Sequence, residues 1–186
     1  DVLAADETST FVVRGGTGRP VVLLHGYPQD WTVWSGIMAD LVDTYDVVVP
    51  VLPGIGASQP WPGGSSTPAL AEWLASVLTS SGIVEPVTVV GHDIGAWIAA
   101  AFAATHPQQL INLMLIDAFI PGITDPAALA LRPDSPLWHM HLHAHTEAAR
   151  VLIAGQLRTF LAWLLRSKTG TPDIFPDSRI DHFAAA

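Results

Sequence analysis

Gly91-His92-Asp93-Ile94-Gly95 stands between two stretches of different periodicity. Before it, Val87-Thr88-Val89-Val90 is an apolar run of strand length; after it, Gly95 to Thr105 is an alanine-rich helical stretch ended by His106-Pro107. Glycines two places either side of Asp93 suit a sharp strand-to-helix turn, where an added Cβ would collide. Such a turn, a nucleophile elbow, lifts its central side chain above the edge of a sheet. The usual central residue is serine, but an aspartate is a competent nucleophile toward an sp³ carbon, forming an ester. Asp93 would also serve as an ordinary N-cap for the helix that follows. The paired glycines and the preceding strand favour the nucleophile.

Outward from this peptide the same punctuation recurs. Val21-Val22-Leu23-Leu24 stops at His25-Gly26, Val47-Val48-Val49 at Pro50, and Leu113-Met114-Leu115-Ile116 at Asp117. Strands apolar on both faces belong in a mostly parallel sheet covered by helices on both sides, an α/β fold. Between the second and third runs, Leu70, Trp73, Leu74, Val77 and Leu78 make one helical stripe. In open parallel sheets chemistry gathers at the carboxyl ends of strands, where these distinctive peptides fall. Beyond Pro121 the texture changes. Residues 121–136 read as a proline-bearing loop, and Ile153, Leu157, Phe160, Leu161 and Leu164 read as one long helical pattern.

Composition narrows the function. With 49% hydrophobic and 13% charged residues, the 186-residue chain has the means to bury a core and is no disordered segment. Eight Lys+Arg against 17 Asp+Glu give −9, and Lys168 is the only lysine. A surface so poor in cations argues against nucleic acid. The absence of cysteine removes disulfides, thiolate metal sites and a cysteine nucleophile. The longest uncharged apolar run, about Ile94 to Ala104, is far short of the roughly 20 residues that span a bilayer. No membrane partner is expected. A soluble, cytoplasmic protein is, with an N-terminus that reads as processed or trimmed.

Two further peptides carry chemistry. His25-Gly26-Tyr27-Pro28 follows the first strong strand. In hydrolases of this architecture the backbone N–H after such a pair and that after the nucleophile form the oxyanion hole, here Tyr27 and Ile94. Trp138-His139-Met140-His141-Leu142-His143-Ala144-His145 spaces its histidines four apart, yet lacks an acidic ligand in register. No metal is expected there.

The ordered set 25–34, 47–58, 91–107, 113–122 and the Trp138-His139 segment resembles the α/β-hydrolase superfamily. Within it, the chain is most similar to bacterial epoxide hydrolases and the related haloacetate dehalogenases. The resemblance implies residues 1–121 as the N-terminal part of the hydrolase core and 122–186 as part of a helical cap. It implies Asp93 as nucleophile, Tyr27 and Ile94 as oxyanion donors, Trp138 and His139 as pocket residues, and no cofactor.

Departures from the family pattern select among its branches. Tyr27 and Ile94 stand where haloalkane dehalogenases hold halide with asparagine and tryptophan. Ile94 and Trp97 stand near Asp93 where haloacetate dehalogenases place arginines, so a small neutral organic substrate is favoured over an anion. Val51 and Pro53 replace the Asp and Arg common in the third peptide, a structural turn variant. The family's acid and catalytic histidine ordinarily follow later in the chain than these residues. His182-Phe183 only superficially matches the base motif, and Asp117 is a secondary candidate for the acid. The expected function is an epoxide hydrolase. The rivals are a haloacid dehalogenase using the same Asp93, and a catalytically silent binding protein or half of a two-chain assembly. A second chain supplying the remainder, or a homo-oligomer, is the corresponding partner expectation.

Overall fold

All four apolar runs form strands in the computed structural model, which describes residues 2–5, 8–120, 122–125, 127 and 137–186. They are β3 (Arg19–Leu24), β4 (Tyr45–Pro50), β5 (Val87–His92) and β6 (Leu110–Ile116), mutually parallel along the sheet. A hairpin precedes them: β1 (Val2–Ala5) pairs antiparallel with β2 (Thr8–Gly15), and β2 pairs antiparallel with β4. The full order is β1-β2-β4-β3-β5-β6. The chain leaves β3 to build β4 on one side and later returns to build β5 on the other. The carboxyl ends of β3 and β5 therefore flank a topological switch point, where an open α/β sheet leaves a crevice.

Alternate residues of the strands feed two cores, one on each face. Val22, Leu24, Val48 and Val89 pack with Trp73, Leu74 and Val77 of α2 (Thr67–Ser80) and Ile98 and Phe102 of α3 (Ile94–Thr105). Val21, Leu23, Val47 and Val49 pack on the opposite face with Trp34, from a 3-10 turn (Trp31–Trp34), and Met38 of α1 (Ser35–Leu41). Ser66 opens α2 by accepting from the Ala69 N–H, and Pro68 occupies its first turn. Two polar ties bind the hairpin to this framework. Buried Trp73 donates from Nε1 to Thr10 Oγ1 at 3.0 Å, and Arg14 grips Asp46 with two guanidinium nitrogens while donating to the Ser81 carbonyl.

The chain divides into two compact units, Asp1–Ile120 and Pro121–Ala186. The second contains α4 (Trp138–Ala144), α5 (Thr146–Ile153), α6 (Leu157–Ser167) and α7 (Asp177–Ala185). The stripe from Ile153 to Leu164, expected as one long pattern, is broken: α5 and α6 are bent by 104° at the intervening residues. Ala154 leaves the helix with an extended ψ of 132°, Gly155 follows at a φ of +78° that glycine takes readily, and the Gln156 N–H closes the turn onto the Ile153 carbonyl at 3.0 Å. Leu161, Leu164 and Leu165 of α6 are buried, as are Ile180 and Phe183 of α7. Arg158 and Arg166 tie α6 to α7 through Asp177 and Asp181. The stretch 121–136, read as a loop, lies largely outside the described residues. Among the described residues no single helix is long and apolar enough to cross a membrane.

The Trp73–Thr10 bond yields a test of the hairpin's attachment. Trp73→Phe strands the Thr10 hydroxyl in the core and should destabilise the chain by about 1–3 kcal/mol in urea unfolding. Adding Thr10→Val removes the stranded group, so the double variant should be more stable than the two single costs added together.

Candidate active site

One residue, Asp93, turns the chain from β5 into α3. Its φ of +55° is unusual for a residue with a side chain and costs on the order of 1–3 kcal/mol unless its surroundings hold it. They do: the Asp93 N–H donates to the Ile116 carbonyl at 3.2 Å, and its own carbonyl accepts from Ala96 at 3.0 Å. Its carboxylate makes no capping bond to the helix. Oδ1 accepts instead from the Tyr27 N–H at 2.9 Å, across the crevice between β5 and β3. The capping explanation for Asp93 fails on that geometry.

Three glycines make the approach possible. A Cβ on Gly91 would lie 2.4 Å from the Gly95 carbonyl oxygen, inside the turn. A Cβ on Gly95 would lie 2.5 Å from the Leu24 carbonyl oxygen, so this glycine sets the helix against β3 rather than relieving the turn itself. A Cβ on Gly26 would lie 2.5 Å from the Asp93 Cβ, so the turn after β3 also reaches the aspartate only as glycine.

His25 fastens that turn from below. It is fully buried; Nε2 accepts from the Leu52 N–H at 3.0 Å, and Nδ1 lies 3.2 Å from the Gly26 carbonyl, to which it donates. The Leu52 contact requires the neutral ring, because a protonated Nε2 has no lone pair to accept with. Burial pushes its pKa down, against a smaller upward pull from the Gly26 carbonyl and Asp30. The imidazole thus joins the turn after β3 to the turn after β4. Gln29 N–H closes the former onto Gly26, Asp30 accepts from Thr32 to start the 3-10 turn, and the Tyr27-Pro28 peptide is cis. Ser58 holds the latter, accepting from Phe11 and donating to the Val51 carbonyl. This supports reading Val51 and Pro53 as part of a structural turn. Burial pushes the Tyr27 phenol up to about 12, so it stays protonated.

Asp117 ends β6 beside Asp93 and shares its positive φ, at +45°. Among the described residues these are the two non-glycine positions in that region, at the ends of adjacent parallel strands. The following loop is pinned to α3, where Trp97 Nε1 donates to the Phe119 carbonyl at 2.8 Å and the two rings lie 5.0 Å apart.

Asp93, Tyr27 and Ile94 come together in the first unit, with Ile94 the first residue of α3. Trp138 and His139 belong to α4 of the second unit. There Lys168 Nζ lies 3.3 and 3.1 Å from the two ring nitrogens of buried His139, a placement over the ring rather than along one lone pair. Trp138 packs its ring against Phe160 and Trp163. His182 sits within α7 beside Phe183. His139 and His143 share α4, while His145 lies at its end, and no group of three metal-competent side chains occurs among the described residues.

Residues 19–171 match the model of the alpha/beta hydrolase fold family. The chain belongs to that family. It is similar to Cfl2 from Burkholderia cenocepacia, whose crystal structure superposes with a TM-score of 0.89 at 37% identity, covering 98% of this chain and 63% of that one. It is 28% identical over 181 residues to the soluble epoxide hydrolase of Corynebacterium sp. strain C12, covering 92% of this chain and 60% of that protein. A shorter match, 36% over 110 residues, covers 58% of this chain and 41% of the pimeloyl-[acyl-carrier protein] methyl ester esterase of Aeromonas hydrophila. This member of the hydrolase family therefore spans about 60% of the length of the epoxide hydrolase that it matches.

The neutral His25 ring gives the fold an acid limit. Its native pKa lies below the unfolded value of about 6.5, so below that pH the unfolded chain takes a proton that native His25 refuses. Stability is full above about 6.5 and falls as pH drops, by at most about 1.4 kcal/mol per unit for this residue. His143, also pushed down by burial, adds a slope of the same sign. Urea unfolding between pH 5 and 8 should show a shallower slope in His25→Gln. An unchanged slope would remove His25 as its source.

Proposed function

We propose that this chain carries the nucleophilic half of an epoxide hydrolase. The observation that carries the reading is the Asp93 carboxylate, held off its own helix and fixed through Oδ1 by the Tyr27 amide. In the proposed reaction Oδ2 attacks an epoxide carbon, the C–O bond of the ring breaks, and the leaving oxygen takes a proton from an acid. The product is an alkyl ester on Asp93. Water, deprotonated by a general base, then attacks the ester carbonyl. The negative charge develops on Oδ1, where the amides of Tyr27 and Ile94 stabilise it. Collapse of that intermediate releases the diol and restores the carboxylate, with no cofactor consumed.

The similarity to the Corynebacterium epoxide hydrolase supports the epoxide over an ester. The neutral neighbours Ile94 and Trp97 support a small uncharged substrate, since no arginine next to Asp93 stands ready for a carboxylate. In this reading the second unit is a helical cap, with Trp138 and His139 lining its pocket. None of the eight histidines is assigned the base. His25 is committed to Leu52, and His182 lies within α7.

Alkylation needs only the first half of this sequence; removing a general base slows hydrolysis by about 10²- to 10⁴-fold. Incubated with a neutral epoxide such as styrene oxide, the chain should accumulate at most one equivalent of adduct, located on Asp93 by peptide mass spectrometry and absent in Asp93→Asn. Release of fluoride or chloride from haloacetates should be slight. Halide release equal to epoxide consumption would instead favour a dehalogenase, and multiple turnovers abolished by His182→Ala would make His182 the base.

A further inference from the structure

The Tyr27 N–H that reaches Asp93 belongs to the peptide between Gly26 and Tyr27, and the other end of that peptide is held too. Its carbonyl accepts from the Gln29 N–H at 3.0 Å and from His25 Nδ1 at 3.2 Å. The peptide is trans, so its carbonyl and its N–H point opposite ways, and fixing one aims the other. Rotation about the flanking bonds would turn the carbonyl toward Asp93, and the glycine on its amino side offers little steric resistance. The donors on the carbonyl oppose that flip.

Which ring nitrogen faces Gly26 as a donor is decided on the far side of the ring. A neutral imidazole has one N–H. The Leu52 N–H, at 3.0 Å, needs a bare Nε2, so the proton sits on Nδ1, where the Gly26 carbonyl accepts it. The ring is fully buried, which removes bulk water as a rival partner. The bonds then run in one sense, from the Leu52 N–H to His25, from His25 to the Gly26 carbonyl, and from the Tyr27 N–H to Asp93 Oδ1. Hydrogen bonds aligned head to tail polarise one another. The ends of β4, β3 and β5 are linked in that order.

We propose that His25 is a positioning residue for the oxyanion donor: its Nδ1–H, made the donor by Leu52, holds the Gly26–Tyr27 peptide with its N–H toward Asp93. The part of this role that bears on rate rests on the reaction proposed for Asp93; the aim of the N–H does not. Its effect falls on ester breakdown rather than ester formation, because negative charge develops on Oδ1 only when the ester carbonyl is attacked. Loss of one oxyanion donor costs about 10²- to 10³-fold.

Two substitutions separate the arms of the ring. The asparagine side chain places its amide nitrogen near the site of Nδ1, so His25→Asn keeps a donor for Gly26 and loses the acceptor for Leu52. Glutamine reaches the site of Nε2, so His25→Gln keeps the Leu52 acceptor and loses the Gly26 donor. Hydrogen exchange should cross over: the Tyr27 amide speeds by about tenfold or more in His25→Gln, and the Leu52 amide does so in His25→Asn. Ester breakdown is read by alkylating each chain with styrene oxide and adding hydroxylamine. The nitrogen attacks the Asp93 ester carbonyl, the bond to the diol oxygen breaks, that oxygen takes the proton the nitrogen loses, and a hydroxamate stays on Asp93. Cleavage in His25→Gln should fall by about tenfold or more beyond any fall in alkylation, and His25→Asn should recover it. Faster exchange of both amides in both variants, or equal cleavage in the two, would reduce His25 to a structural role and overturn the proposal. Nitrogen NMR of the unsubstituted chain decides even if neither variant folds: a proton on Nδ1 upholds the proposal and a proton on Nε2 overturns it. A chain that forms no adduct sinks the epoxide reading and leaves the exchange crossover to decide the role of His25.

Discussion

The first turn of α3 rests on the carbonyl end of β3 across a gap that only a hydrogen atom fills, at Gly95. Everything at the crevice follows from that approach. It brings Asp93 over the end of β3, where the Tyr27 amide can reach its carboxylate, and it forces Gly26 to be glycine in turn. The strained backbone at Asp93 is held by backbone hydrogen bonds from β6 and α3, none of which uses its side chain. Position and chemistry are thus supplied by different atoms.

The buried imidazole of His25 extends the same economy to the third strand end. A side chain that donates to one turn and accepts from another replaces a backbone ladder that has already stopped at Leu24 and Pro50. Because the ring must be neutral to accept from Leu52, the fastening is sensitive to acid, whereas the glycine contacts beside it are not. The two kinds of constraint fail under different conditions.

Much of the first unit was legible because its strands are apolar on both faces and end at glycine, proline or aspartate. The elbow was legible because a glycine stands two places either side of Asp93, one relieving the turn and the other letting the helix approach β3. The β1–β2 hairpin was not, since Thr8-Ser9-Thr10 dilutes the apolar signal of the antiparallel strand β2 that it opens. The break at Gly155 was hidden by arithmetic: Ile153 and Leu157 are four apart, which preserves a helical stripe across a bend. A glycine one place after Ala154, in the position that commonly ends a helix, was the signal available. The partner of His25 is a backbone amide, and a backbone amide has no residue type to read. Asp117 carried no mark of its left-handed backbone, because aspartate tolerates that conformation without glycine-like neighbours.

The backbone fastening of the elbow also bears on how such a protein changes over generations. Gly26, Gly91 and Gly95 face crowded atoms, and no single substitution elsewhere relieves all three, so they constrain one another's drift. The side chain at position 93 must suit a positive φ and the close approach of Gly26, but beyond its Cβ its chemical group is not wedged in this way. A change of one residue there exchanges a carboxylate for a hydroxyl while the turn, the neighbouring amide and the crevice persist. A scaffold built this way evolves new reactions more readily than new shapes, and a lineage containing both epoxide hydrolases and ester hydrolases is what that asymmetry leaves behind.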